Sequence, residues 1–226
     1  MNFAYNMDCL SAMQQMPDKY FDLAVVDPPY FSGPERRNFY GCQVSPIGVQ
    51  RMYKQSEVWQ VPDERYFDEL RRVSKQQIIW GVNYFNYSFS PGRVVWDKCN
   101  GASSFSDCEI AYCSLHDSVR LYRYMWNGMC QGKSITTGHI MQGDKSKNEK
   151  RIHPTQKPVA LYAWLYQQYA KPGDKILDTH LGSGSSRIAA YKLGLDFVGF
   201  EIDKHYFDLQ EQRFAEEQQQ LSFDFE

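Results

Sequence analysis

No two of the six cysteines, Cys9, Cys42, Cys99, Cys108, Cys113 and Cys130, form a CxxC pair; the nearest two, Cys108 and Cys113, stand five positions apart. That removes the usual spacing of a structural metal site or a redox dithiol, and no metal is expected. Free thiols in a reducing compartment are the simplest account. No apolar run approaches the roughly 20 residues needed to cross a bilayer. The opening Met1-Asn2-Phe3-Ala4-Tyr5-Asn6-Met7-Asp8 lacks the charged and apolar regions of a signal peptide. A cytoplasmic protein with no membrane partner is therefore expected. Excess positive charge is missing too. With 25 Lys and Arg against 27 Asp and Glu, the formal net charge of -2 excludes coating of nucleic acid by bulk charge, though not a local basic face.

Aromatic residues, in contrast, are plentiful at 15% of the chain, enough for some to stack on flat ligands after the core is filled. At 226 residues the chain can build one full core with a small insertion, so a single domain over 1–226 is expected. Charge is unevenly placed. Residues 120–157 carry Arg120, Arg123, Lys133, Lys145, Lys147, Lys150, Arg151 and Lys157 against Asp144 and Glu149. The last stretch is acidic and reads as solvated surface.

Two apolar runs end in acids. Residues 21–26 read as a buried strand running into Asp27, and Lys175-Ile176-Leu177 as another running into Asp178. After Asp178 come the turn Gly182-Ser183-Gly184, a helix over 185–193, a strand over 197–200 ending at Glu201, and a terminal helix over 204–219. Strands are also expected at 76–80 and 93–96, with helices over 63–73 and 155–169. Residues 109–113 and 119–124 are expected to pair antiparallel across a turn at His116-Asp117. Alternating elements of both kinds predict a mostly parallel sheet covered by helices. Residues 31–60 and 127–152 fit no regular element, and loops that long in a compact domain are usually functional or disordered.

Each strand-end acid suggests a use. A Gly-rich turn after a strand lets backbone approach a ligand and leaves helix N–H groups free. By itself a GxG is weak. Here Glu201 ends the next strand about twenty residues on, where an acid can accept hydrogen bonds from both ribose hydroxyls, so an adenosine-like ligand is expected. The turn lacks the Lys-Ser/Thr ending of a triphosphate cradle. At the other site stands Asp27-Pro28-Pro29-Tyr30. An exocyclic amine of a base is a poor nucleophile because its lone pair is delocalised into the ring. An acceptor holding its N–H turns the nitrogen toward sp³ geometry. Asp27 supplies a charged acceptor and the Pro28 carbonyl a second, the prolines fix the spacing, and Tyr30 can stack on the base.

With these residues the chain resembles the S-adenosylmethionine-dependent amino-methyltransferases of DNA, in the β-class order with the catalytic motif first and the cofactor motif last. The resemblance rests on Asp27-Pro28-Pro29-Tyr30, on His153-Pro154-Thr155-Gln156-Lys157-Pro158, on the run from Asp178 to Ser185, and on Phe197-Val198-Gly199-Phe200-Glu201. Asp-Pro-Pro-Tyr typifies the adenine N6 members, whereas cytosine N4 members usually begin with Ser. The resemblance implies a Rossmann-like α/β fold, a seven-stranded mixed sheet whose last strand is antiparallel, with circularly permuted motif order. It implies Asp27, Pro28, Pro29 and Tyr30 at the target adenine. S-adenosyl-L-methionine would be the cofactor, with Asp8 near its adenine, Glu201 on its ribose, and Thr155, Lys157 and Pro158 by its methionine end. Asp178, His180, Gly182, Ser183 and Gly184 would line its cleft, His180 in a packing role where the family usually has Phe.

Double-stranded DNA is the implied partner. Arg36, Arg37, Arg51, Arg120, Arg123, Lys133, Lys145, Lys147, Lys150 and Arg151 are the expected backbone contacts. Residues 31–60 would be a DNA-contact loop and 114–152 a short target-recognition insertion. A homodimer and a cognate restriction endonuclease are further partners the family allows. Methylation of cytosine N4 or of RNA adenine, and a catalytically silent DNA-binding subunit, stay open as alternatives at this point.

Overall fold

The computed structural model describes residues 1–30, 53–54, 56, 58–100, 106–127, 130–132 and 148–223. Arg36, Arg37, Arg51, Lys133, Lys145, Lys147 and most of the expected contact loop 31–60 lie outside the described residues. The remainder forms one eight-stranded sheet with helices on both faces, and no described helix is long and apolar enough to cross a membrane. In chain order the strands are β1 (Asn2–Tyr5), β2 (Phe21–Val26), β3 (Ser74–Trp80), β4 (Arg93–Asp97), β5 (Cys108–Cys113), β6 (Val119–Arg123), a small separate pair β7 (Trp126–Asn127) and β8 (Cys130–Gln131), β9 (Lys175–Asp178) and β10 (Asp196–Phe200). The helices are α1 (Cys9–Met13), α2 (Glu64–Val73), α3 (Val159–Tyr169), α4 (Ser185–Lys192) and α5 (Lys204–Phe223).

The order across the main sheet is β1-β10-β9-β2-β3-β5-β4-β6. β2 and β9, distant in sequence, are parallel neighbours in its middle, with Leu23 opposite Ile176 and Ala24 opposite Leu177. From β2 the chain winds one way to β3, and from β9 it winds the other way to β10. The sheet's winding thus reverses between these two strands, and such switch points leave a crevice at the carboxyl ends. Both strands are buried on both faces, which is why they read as continuous apolar runs. Leu23, Val25 and Ile176 pack with Leu161 and Leu165 of α3 and Ala189 of α4. Ala24, Val26 and Leu177 pack on the opposite face with Met13 of α1 and Phe67 and Leu70 of α2.

Four features differ from the sequence expectations. The main sheet has eight strands rather than seven, since Asn2–Tyr5 adds an edge strand beside β10. The antiparallel strand is β5, third from the other edge, instead of the last strand. β5 and β6 do not pair with each other, because β4 lies between them, antiparallel to β5 and parallel to β6. Burial explains this: Val94 and Trp96 of β4 are apolar and almost fully buried, which suits an interior strand, whereas Val119, Arg120, Leu121 and Arg123 of β6 are exposed and suit an edge. Finally, α3 begins at Val159, four residues later than expected. Pro158 holds the N-cap position, and the Glu149 carboxylate accepts the Val159 N–H at 3.0 Å. Residues 153–157 are thereby left outside the helix.

α5 locks the Gly-rich turn to the rest of the molecule through Arg213. Its guanidinium donates to the Ser183 carbonyl and the Ser185 hydroxyl, each at 2.9 Å, and pairs with Glu149 at 2.8 Å. The Arg213 side chain is 8% exposed, so its charge has little water to fall back on. Asp178 is also buried, held by the Ser186 hydroxyl and, at 3.0 Å, by the His180 N–H. Burial raises its pKa to about 7 against those two donors.

Arg213→Met leaves Glu149 without its cation, so a loss of about 3–5 kcal/mol is expected. Thermal unfolding should show a Tm fall of roughly 10 °C. A different signature is expected at Asp178. Its pKa is higher in the folded chain than in the unfolded chain, so its carboxyl weakens the fold progressively as pH rises from about 4 to about 7. Asp178→Asn, neutral throughout, should therefore gain stability relative to the parent as pH rises through that window and level off above it. Melting curves at a series of pH values read this difference directly.

Candidate active site

One cleft of about 870 Å³ opens at the carboxyl ends of β2 and β9, and both expected motifs reach it. Asp27, Pro28, Pro29 and Tyr30 line one part. Lys157 joins them, at 2.5 Å from Asp27, while Asp8, Thr155, His180, Gly182, Ser183 and Glu201 line the other. Arg151 lies at its wall, with its guanidinium 4.4 Å from the Trp126 ring centroid. Asp178, Pro158 and Gly184 stand behind the wall: Asp178 braces the turn from below, Pro158 starts α3, and Gly184 is the N-cap of α4. Arg120 and Arg123 sit on the edge strand β6, with Arg123 paired to Asp97 at 3.2 Å, and Lys150 is exposed beside Arg151.

The Asp27 half is a chain of charges. Asp27 follows β2 directly, and its carboxylate accepts the Tyr30 hydroxyl and the Lys157 ammonium, the latter at 2.5 Å. Lys157 also donates to Tyr30 Oη at 2.8 Å and pairs with Glu109 Oε2 at 2.8 Å. Glu109 Oε1 in turn takes Lys98 at 2.6 Å. Lys157 is 3% exposed, yet it stays an ammonium. Burial would lower its pKa, but Asp27 and Glu109 raise it by more. Burial pushes Asp27 up, Lys157 pulls it back and Glu109 adds repulsion, with a net rise. For Glu109 the balance runs the other way: despite burial, Lys157 and Lys98 bring it to about 2.

The Tyr30 ring lies parallel to Tyr84, centroids 5.2 Å apart and planes within 8°. Its other constraint is Gly81, which has φ of +75° and stands so close that a Cβ there would fall 2.1 Å from the ring. Only glycine meets both conditions.

In the other half, backbone N–H groups and hydroxyls, more than ion pairs, hold the polar side chains. The Gly182 N–H donates to Glu201 Oε2 at 2.8 Å and the Asp203 N–H to Oε1 at 2.9 Å. Burial raises Glu201 to about 7 against these bonds. Burial likewise takes His180 down to about 4 and, with repulsion from Lys157, His153 down to about 3, so both rings are neutral. His180 shares a hydrogen bond with Thr179 Oγ1 at 2.9 Å. Gly182, at φ of +49°, holds the turn against the His153 ring, which a Cβ would meet at 3.4 Å. Asp8 caps α1, and its bonds to Ser11 keep its pKa low despite burial.

This half fits S-adenosylmethionine. Each Glu201 oxygen spends one lone pair on a backbone N–H and keeps another for a hydroxyl. The Gly182 turn leaves room for backbone approach, and His180 offers a flat, uncharged ring. The sequence reading had missed Glu109, Lys98, Tyr84 and the close approach at Gly81. A signal was present for Lys98, a charge just past a strand that ends at the crevice. Glu109, at the start of an apolar strand, gave none without knowledge of that strand's direction.

Comparison with known proteins places the chain. The family described as DNA methylase, of the N6 and N4 type, matches residues 95–212, just over half of the chain. The type II methyltransferase M.HinfI of Haemophilus influenzae is 24% identical over 92% of this chain and 67% of its own length. Among solved structures, the M1.HpyAVI–SAM complex superposes with a TM-score of 0.53 at 19% identity, covering 94% of this chain and 100% of the other. The cytosine-N4-specific PvuII DNA methyltransferase superposes with a TM-score of 0.57 at 14% identity, covering 95% and 86%. The chain belongs to the S-adenosylmethionine-dependent DNA methyltransferases that act on adenine N6 or cytosine N4.

Proposed function

We propose that the chain methylates the N6 amine of adenine in duplex DNA. The observation that supports this most is the ionisable acceptor Asp27, held by Tyr30 and Lys157 in the same cleft as the Gly182 turn. An ionised carboxylate is the strongest acceptor a side chain offers to an amine N–H. Aspartate at the head of the Asp-Pro-Pro-Tyr motif favours adenine over cytosine. The fold is neutral between them, since a cytosine-N4-specific enzyme shares it.

S-adenosylmethionine, when bound, supplies an electrophilic methyl on a sulfonium sulfur. Asp8, Thr155, His180, Gly182, Ser183 and Glu201 are the residues that would hold it. Everything else falls to the protein. A base inside a duplex is out of reach, so the target adenine must leave the stack and enter the cleft. Asp27 uses two of about four carboxylate acceptor positions on Tyr30 and Lys157, which leaves room for an N6–H. The Pro28 carbonyl is the second acceptor. Together they localise the lone pair on N6 and orient it, and the proton lost from N6 passes to Asp27 and on to water. Positioning and fixed charge supply most of the rate. Lys150 and Arg151, beside the cleft, are suited to phosphate contacts.

Asp27→Ala should lower transfer by at least about 10²–10³-fold. Cofactor affinity, measured by calorimetry, should stay near the parent value. Mass spectrometry of nucleosides from digested DNA should show N6-methyladenine; N4-methylcytosine in its place would overturn the choice of base. Replacing Lys150 and Arg151 by Ala should weaken DNA binding on every sequence and flatten the salt dependence by about one unit of slope per charge removed.

A further inference from the structure

The Lys157 ammonium has three hydrogens, and three acceptors surround it: Asp27 Oδ2 at 2.5 Å, Glu109 Oε2 at 2.8 Å and Tyr30 Oη at 2.8 Å. None is left for a ligand unless one of these bonds breaks. The resemblance assigns Lys157 to the methionine end of the cofactor, but the geometry commits it to the acceptor of the target amine. Glu109 competes with Asp27 for the same ammonium. Lys98, the only other cation paired with Glu109 among the described residues, offsets that competition from the far side at 2.6 Å. The four groups form a neutral row in the order Lys98, Glu109, Lys157, Asp27. Lys98 and Glu109 meet each other at the sheet end because β5 runs antiparallel, so its first residues lie beside the last residues of β4.

We propose that Glu109 and Lys98 are positioning residues of the transfer reaction, which act through Lys157 to set how firmly Asp27 is held as an acceptor. The inference rests on the reading of Asp27 as the amine acceptor, and it holds for either base. Glu109 draws Lys157 away from Asp27; Lys98 draws Glu109 away from Lys157. The other titratable groups around Asp27 are Tyr30, Tyr66 of α2, Tyr162 of α3 and Asp178 at the end of β9. Burial raises all three tyrosines well above their usual value, so they stay neutral over the working range. Asp178 titrates near 7 and is common to every variant below.

Two single substitutions should move Asp27 in opposite directions. Glu109→Gln removes a negative charge and leaves Lys157 to Asp27, so the acidic limb of the kcat–pH profile should move down by roughly one pH unit. Lys98→Met frees Glu109 to compete, so the limb should move up by a similar amount, with kcat on the acid side of the limb lowered by roughly tenfold. The double variant Lys98→Met/Glu109→Gln removes one charge of each sign, and its limb should return toward the parent. KM for S-adenosylmethionine should change little in all three. A merely structural role would lower activity or stability without opposed and cancelling shifts. Limbs that stay in place, or that move the same way in both single variants, would overturn the proposal.

The assay counts total methyl transferred to DNA, so it does not depend on which base is modified. The fall of at least about 10²–10³-fold expected in Asp27→Ala tests the underlying reading separately. If a variant or the parent transfers no methyl, the 13Cε signal of Lys157 reports the protonation of Asp27 in the protein alone. Its inflection should lie lower in Glu109→Gln and higher in Lys98→Met, and coincident inflections would reject the proposal equally.

Discussion

The parallel pairing of β2 with β9 is the constraint on which the site depends. It joins strands from opposite ends of the chain at the point where the sheet's winding reverses, so their terminal acids, Asp27 and Asp178, come to the same end of the sheet. The pairing is enforced from both faces. A slip of one residue would exchange Leu23 and Val25 for Ala24 and Val26, sending each to the opposite layer of helices. Precision at the crevice is thus a by-product of core packing far below it. Asp27 and Glu201 directly follow the rigid strands β2 and β10, where loops have little freedom to displace them.

The two halves of the cleft handle charge in opposite ways. On the Asp27 side, two carboxylates and two ammoniums alternate and burial is tolerated because each ion has a partner of opposite sign. On the Gly182 side, Glu201 and Asp178 have backbone N–H groups and a hydroxyl as partners and, among the described residues, no paired cation, and both carboxyls rise to about 7. The histidines there are neutral. One short sheet end therefore carries a half built on ion pairs and a half built on backbone N–H and hydroxyl partners.

Much of the fold was legible because apolar runs and turn glycines report local structure. Residues 21–26, 175–178 and 196–200 are apolar on both faces, as interior parallel strands must be, and Gly182 and Gly184 punctuate the turn at positive φ. Strand neighbours were not legible. Residues 109–113 and 119–124 looked like a hairpin, and nothing local says that β4 will come between them. The same gap hid Glu109. A charged residue opening an apolar strand looks remote from a site built at strand carboxyl ends, until the strand proves antiparallel and its beginning lies at the crevice. The start of α3 is hidden from the sequence for a related reason: the carboxylate that accepts its first N–H, Glu149, is a tertiary contact and not a local one.

The stack of Tyr30 on Tyr84 has a consequence of its own. The exposed ring of Tyr84 already covers the face of Tyr30 that a flat ligand would use on that side. Under the proposed function a base arriving there would trade one aromatic contact for another, with a small net gain in binding free energy. What the exchange selects is planarity and thickness, since a bulky or puckered group would break the tyrosine pair without replacing it. With Gly81 pinning Tyr30 from beside the ring, Tyr84 is the partner free to give way. Under the proposed function the pair would act as a gauge of shape more than as a source of affinity.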